Sequence, residues 1–145
     1  MQKILFVIAA FLLINSPAIA EEQKPLDPDL VHDAVQLAAQ VDTYNVYCEK
    51  ESALADGFIE RFEKRGLTLE QKEELVSLQK KVNEALRADL AERKPDCKTS
   101  DFLLERLKAM RVLKAVSFAL NGVDPSTLPD AGANVPLEEL LKDPI

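Results

Sequence analysis

The spacing of apolar residues predicts helices over most of the chain. From Leu30 onward, apolar positions recur at alternating steps of four and three, the repeat of a helix that packs lengthwise against another. The members of this first row are Leu30, Ala34, Leu37, Val41, Tyr44 and Cys48. A second row runs over 75–90, and a wider apolar face covers 102–120. The pattern predicts an all-α fold, a small bundle of three to four helices.

Local signals predict where these helices begin and end. Pro28 precedes the first helix, and Gly66 suits the position just beyond a helix end. Thr68 and Gln71 have the spacing of a capping box, and Pro95 stops the third helix. The last helix is the most apolar, so we predict that it is the central one. The predicted helices are 29–48, 52–65, 69–93 and 100–121.

The two cysteines, Cys48 and Cys97, constrain how the helices are arranged. In an oxidising compartment an even number of cysteines indicates a disulfide. A straight helical hairpin would separate them, because they would lie about 27 Å and about 40 Å from the turn at Gly66. Either the chain breaks after Cys48, or the chain beyond the third helix folds back. We predict the break, with Ser52 capping the second helix.

The first twenty residues have the pattern of a cleavable secretory signal peptide. Lys3 is followed by eleven apolar residues, 4–14, then by a helix break at Pro17 and the small residues Ala18 and Ala20. An uncleaved membrane anchor is the alternative, but a membrane span needs about 20 apolar residues. The predicted organisation is a signal peptide (1–20), a polar leader (21–28), a helical domain (29–121) and a proline-rich tail with a short amphipathic C-terminal helix (122–145).

Charge and motif content narrow the classes of function. The formal net charge is −7, and an acidic surface gives no basis for binding nucleic acid or anionic lipid. His32 is the single histidine, too few for a catalytic triad or a closed zinc site, and we expect it on the surface. We therefore predict no enzyme, no metal and no cofactor. The acidic residues near the second helix are interpreted as a solvated face; they are Glu49, Glu51, Asp56, Glu60 and Glu63.

The last helix carries candidate interaction residues. Its basic side chains could hold an anionic ligand or an acidic partner, or could face the acidic second helix of the same chain. These basic residues are Arg106, Lys108, Arg111 and Lys114. Together with the apolar face of this helix, Tyr44 and Tyr47 could line an apolar ligand pocket, although packing in the core is the simpler interpretation.

Three leucines near the C-terminus form another candidate interaction site. Leu137, Leu140 and Leu141 would share one face of a short helix. So short a helix is unstable alone in water, because nucleation costs more than its few hydrogen bonds return. The leucines therefore need a surface to lie on. From the sequence we expect that surface to belong to a partner or a second copy, rather than to the parent domain.

The arrangement of helices and cysteines resembles a known group of proteins. A helix ending in Tyr44, Tyr47 and Cys48, a second helix, a long charged helix and then Cys97 make up the likeness, over about residues 30–97. In this layout the chain resembles small two-cysteine helical periplasmic proteins of alphaproteobacteria. That group has no agreed activity, so the resemblance implies a location and a fold only.

The expected function combines these points. We expect a non-catalytic exported helical protein, periplasmic or secreted, that acts through protein–protein interaction in the cell envelope. The partner is another protein or a second copy, and no membrane insertion is expected after signal cleavage. The alternative is a small periplasmic carrier that holds an apolar or anionic ligand between its helices.

The signal peptide makes a direct prediction about the mature chain. Cleavage after Ala20 should leave a protein whose first residue is Glu21, recovered from the periplasm or the medium. Intact mass and N-terminal sequencing of the secreted fraction measure this. Recovery of a chain that still begins with Met1 from the membrane fraction would contradict it.

Overall fold

The computed structural model describes residues 25–124. These residues form four helices: α1 (Pro28–Tyr47), α2 (Leu54–Lys64), α3 (Leu69–Arg93) and α4 (Ser100–Leu120). The predicted signal peptide, the start of the leader and most of the tail, with its three leucines, lie outside the described residues. The all-α class is confirmed, and each predicted helix boundary lies within two residues of the observed one.

The central helix is α1, and the prediction that the last helix occupies the centre is wrong. α1 packs against each of the other three helices. Its alanines Ala34, Ala38 and Ala39 are fully buried, and such small side chains allow neighbouring helices to approach closely on several sides.

The peripheral position of α4 follows from what it leaves exposed. It buries Phe102, Leu113 and Leu120 against α1, whereas Met110 and Val112 are 46% and 50% exposed. The broad apolar face that suggested a central helix is therefore only partly covered by the residues that the structure describes.

Successive helices alternate in direction. The start of α2 lies beside the later half of α1, where Leu54 donates a hydrogen bond to Asp42, so α2 runs back along α1. α3 reverses again and brings Leu90 to Tyr44, near the end of α1. α4 starts at the same end, with Phe102 packed on Tyr44, and returns.

A buried carboxylate of α1 holds the first turn of α2. Asp42, only 7% exposed, accepts hydrogen bonds from the backbone N–H of Leu54 (2.8 Å) and Ala55 (2.9 Å), and from the Ser52 hydroxyl. The prediction that Ser52 caps α2 is wrong. Ala53 holds the cap position without a side-chain bond, and Asp42 supplies the missing acceptor from another helix.

The predicted break and disulfide are both confirmed. α1 ends at Tyr47, and Cys48 bonds to Cys97 in the loop between α3 and α4, with 5.8 Å between their Cα atoms. The bridge packs with Tyr44, Leu90 and Phe102, in a second buried cluster separate from the main core. It fixes the end of α1 to the start of α4.

The turn between α2 and α3 follows the predicted signals. Gly66 has φ +98°, the left-handed conformation that glycine adopts without steric cost. The Thr68 hydroxyl accepts from the Gln71 N–H (3.2 Å), and the Gln71 side chain accepts from the Thr68 N–H (2.9 Å), which completes the capping box.

Replacement of Asp42 tests whether this residue holds α2 in place. Asp42→Ala removes the acceptor for three donors, and we expect the free energy of unfolding to fall by about 3 kcal/mol. Asp42→Asn keeps one acceptor and should cost less. Urea denaturation followed by circular dichroism measures both.

Asp33→Ala provides the control for this experiment, because Asp33 is an exposed carboxylate on the same helix. It should change the free energy of unfolding by at most about 0.5 kcal/mol. Equal losses for Asp42→Ala and Asp33→Ala would show that Asp42 has no special role in holding α2.

Candidate functional site

An open groove lies over α1 between α2 and α4. Its volume is about 250 Å³. The nine residues that line it come from α1, α2 and α4, and are mainly apolar: Val41, Leu54, Phe58, Arg61, Met110, Leu113, Lys114, Ser117 and Phe118. We call this opening the α2–α4 groove.

The apolar residues of the groove divide into a buried floor and exposed walls. Val41, Phe58 and Leu113 are at most 7% exposed and also belong to the main core. The walls are Leu54 of α2 and Met110 of α4, which are 39% and 46% exposed. The floor is thus fixed by the fold, while the walls present apolar side chains to whatever enters.

Two basic side chains border the groove, one on each flanking helix. The Arg61 guanidinium lies 4.4 Å from the centre of the Phe58 ring, and its Nε donates to the Gly57 carbonyl (3.1 Å). Lys114 Nζ lies 5.9 Å from the centre of the Phe118 ring. No carboxylate is among the nine described residues that line the groove. Two cationic side chains thus border the groove in a chain whose net charge is −7.

The structure does not arrange the predicted basic residues of α4 as one stripe. Arg106 is 9% exposed, and its Nη2 donates to Asn45 of α1 (3.0 Å), whereas Lys108 is exposed. These two positions lie about 200° apart around the helix, so both cannot share a face. Arg111 is partly buried, and of the four only Lys114 lines the groove.

A second and larger opening is separate from the groove and shares none of its lining residues. It has a volume of about 1010 Å³ and lies between the start of α1, the α2–α3 turn and one side of α3. We call it the α1–α3 cavity. Leu26, Val31, Leu75 and Leu78 give it an apolar side. His32, exposed as expected, is one of its lining residues.

The acidic residues noted in the sequence are all exposed. Glu60 and Lys64 form an ion pair (2.8 Å), and the hydrogen bond from Lys64 lowers the pKa of Glu60. Glu63 pairs with Lys72 of α3 (2.7 Å). Among residues 25–124, no three histidine, cysteine or acidic side chains lie together as a metal-binding group. The prediction of a solvated acidic face agrees with this placement.

Tyr44 and Tyr47 lie in the second buried cluster and line neither opening. Both rings contact Phe102 edge-on, with ring centres 5.6 and 5.8 Å apart. The Tyr44 hydroxyl donates to Glu105 (3.0 Å), which also accepts from Arg93. Burial, and then this hydrogen bond, raise the pKa of Tyr44 to about 12. The simpler interpretation, packing in the core, describes both tyrosines.

Arg61 is among the residues of the groove that sequence reasoning did not identify. The available signal was its position three residues after Phe58, which places a cation within reach of an aromatic ring on the same helix face. The sequence of a single helix does not show which other helices lie beside it. The position of α2 and α4 on either side of α1 was therefore not predictable.

The raised pKa of Tyr44 predicts how this end of the bundle responds to alkali. The folded pKa of about 12 exceeds the ordinary tyrosine value of about 10. The associated stability is therefore complete below about pH 10 and is lost as pH rises through about 12. In Tyr47→Phe, Tyr44 is the only tyrosine, so tyrosinate absorbance reports its titration directly.

The added substitution Glu105→Gln removes the carboxylate that accepts the Tyr44 proton, and should lower the midpoint towards the ordinary value. Circular dichroism confirms that the chain stays folded over the pH range used. A midpoint near 10 in folded Tyr47→Phe would contradict the buried, hydrogen-bonded position of Tyr44.

Comparison with known proteins adds no relative. No family model, no curated protein and no solved structure matches the chain. Within residues 25–124, no helix is both long enough and apolar enough to cross a membrane.

Proposed function

We propose that this chain is an exported, non-catalytic helical protein that acts by binding another protein in the cell envelope. The α2–α4 groove is the observation that carries the proposal. It combines an apolar floor, exposed apolar walls and a cationic border on a molecule that is otherwise acidic.

The size of the groove favours a protein partner over an enclosed small molecule. Pockets that enclose drug-sized ligands have volumes of about 300–1,000 Å³, and this groove, at about 250 Å³, is smaller and open. Such a groove can accept a few side chains from one face of an amphipathic helix. Covering Leu54 and Met110 would contribute about 25 cal/mol for each Å² of apolar surface removed from water.

The charges at the border indicate the chemistry of the partner. Arg61 and Lys114 lie on opposite sides of the groove, each near an aromatic ring. A helix with an apolar face bordered by carboxylates would place negative charge next to both. Such complementarity speeds association and discriminates against basic partners. The partner we propose therefore presents an acidic amphipathic helix.

Two features support export. The disulfide between Cys48 and Cys97 is of the kind that persists in oxidising compartments. The first twenty residues have the composition and order of a signal peptide. On this basis we place the mature protein in the periplasm or outside the cell.

The alternative function, a small carrier of an apolar or anionic ligand, rests on the α1–α3 cavity. Its volume of about 1010 Å³ is large enough for a small molecule. Its border holds more carboxylates than cations, however: Asp29, Glu70, Glu73 and Glu74, against Arg65 and Lys81. An anionic ligand would be repelled there, so we rank a carrier second and restrict it to apolar cargo.

Site-specific photo-crosslinking in cells that export the protein tests the proposed function. A photoreactive amino acid at Met110 in the wall of the groove should give an adduct with one protein, identified by mass spectrometry. The same residue at Leu54, on the opposite wall, should capture the same protein. Arg61→Glu should weaken both adducts, because it places a carboxylate beside an acidic partner.

Val76 of α3 supplies the matched control, since it is 45% exposed and lies outside both openings. No adduct at Met110 or Leu54, or equal capture at Val76, would overturn the proposal. Native mass spectrometry of the mature protein decides the alternative. A bound small molecule that is lost in a variant of Leu78, on the apolar side of the α1–α3 cavity, would favour a carrier.

A further inference from the structure

We propose that the α2–α4 groove is occupied, in the free protein, by the C-terminal segment 136–142 of the same chain. This inference rests on the proposed function in one respect: the segment imitates the helix of the partner, which must displace it. That the chain covers its own groove can be tested whether or not a partner is found.

The segment has the chemistry that the groove accepts. Its sequence is Pro-Leu-Glu-Glu-Leu-Leu-Lys, and in a helical turn Leu137, Leu140 and Leu141 would form one apolar face. Glu138 would lie at the edge of this face, and Glu139 outside it. Pro136 suits the first position of a helix, and acidic residues are favourable in the first turn. An apolar face with one carboxylate at its edge matches an apolar floor bordered by cations.

The described chain ends beside the groove. α4 closes with Gly122 at φ +72°, and the Val123 N–H donates to the Phe118 carbonyl (3.0 Å). Phe118 is itself a lining residue. The chain therefore leaves the bundle at one end of the groove, and the other end, at Met110, lies about 12 Å away along α4.

The connection is long enough to bring the segment back over α4. Twelve residues, 125–136, separate Asp124 from Leu137. A random coil of this length would have a root-mean-square span of about 20 Å, comparable to the distance that must be covered. A linker so matched gives the segment an effective concentration in the millimolar range.

This effective concentration determines which copy of the segment occupies the groove. A second copy would compete only when the protein itself is near millimolar concentration. The sequence alone led us to expect a partner or a second copy as the surface for these leucines. The position of the groove, next to the point where the chain leaves α4, points instead to the parent domain.

Amide hydrogen exchange of the mature, full-length protein, followed residue by residue by NMR, tests the inference. We expect the amides of Leu140 and Leu141 to exchange at least about tenfold more slowly than in a free peptide of the same sequence. The protection should not change between about 10 µM and about 1 mM protein, because docking within one chain is independent of concentration.

Reversing the charges on both sides of the proposed contact tests whether slow amide exchange in the segment is caused by docking in the groove. Arg61→Glu with Lys114→Glu should abolish the protection, and the further change Glu138→Lys should restore part of it. Lys108→Glu, which changes an exposed charge of α4 outside the groove, should have no effect. Circular dichroism of each variant verifies that the helices are intact.

Two results would overturn the inference. Exchange at the rate of the free peptide would show that the segment does not dock, and protection that grows with concentration would assign it to a second copy. Failure here is distinct from failure of the proposed function. If a protein is crosslinked at Met110 and Leu54 but the amides of the segment exchange freely, the proposed partner is supported. The proposal that the segment occupies the groove is then wrong.

Discussion

The arrangement of the bundle depends on one buried carboxylate. Asp42 lies on the central helix, where an unpaired charge would carry a large desolvation cost. The first turn of α2 offers backbone N–H groups that its own cap residue, Ala53, leaves without a side-chain acceptor. Each group therefore satisfies the other, with the Ser52 hydroxyl as a third donor. These hydrogen bonds hold the start of α2 against the side of α1, rather than beyond the end of α1.

The two helices that border the groove are held by different means. α2 is fixed by Asp42 and by the packing of its buried face, which includes Phe58 and Phe62, in the main core. α4 is fixed at its start by the disulfide and by Phe102, in the second cluster. Because neither constraint depends on the other helix, α2 and α4 need not pack together, and the floor of α1 stays open between them.

Much of the fold could be predicted from the sequence because its signals are local. The capping box at Thr68, the turn at Gly66 and the proline after α3 each act within a few residues, and each was found where expected. The disulfide was predictable from the even cysteine count together with the predicted signal peptide. The short distance between bridged cysteines then favoured a break after Cys48, although the apolar repeat alone would also allow one continuous helix.

What could not be predicted depends on which helices face each other. The apolar width of α4 suggested a central helix, but fully buried alanines, rather than large residues, mark the centre. The cap of α2 was assigned to Ser52 because the true acceptor, Asp42, lies ten residues earlier on another helix. For the same reason the groove was missed, since its floor comes from α1 and its walls from two helices far apart in the chain.

The two ends of the bundle make their chain reversals differently. Gly66 and Gly122 serve the end away from the disulfide, whereas Glu49 and Lys94 adopt left-handed conformations near it, at φ 59° and 45°. For a residue with a Cβ atom, the left-handed conformation costs about 1–2 kcal/mol. The crosslinked end is therefore also the end with the less favourable turns. Without the Cys48–Cys97 bond, we expect the bundle to open at this end first, because the bond is what holds these two turns together.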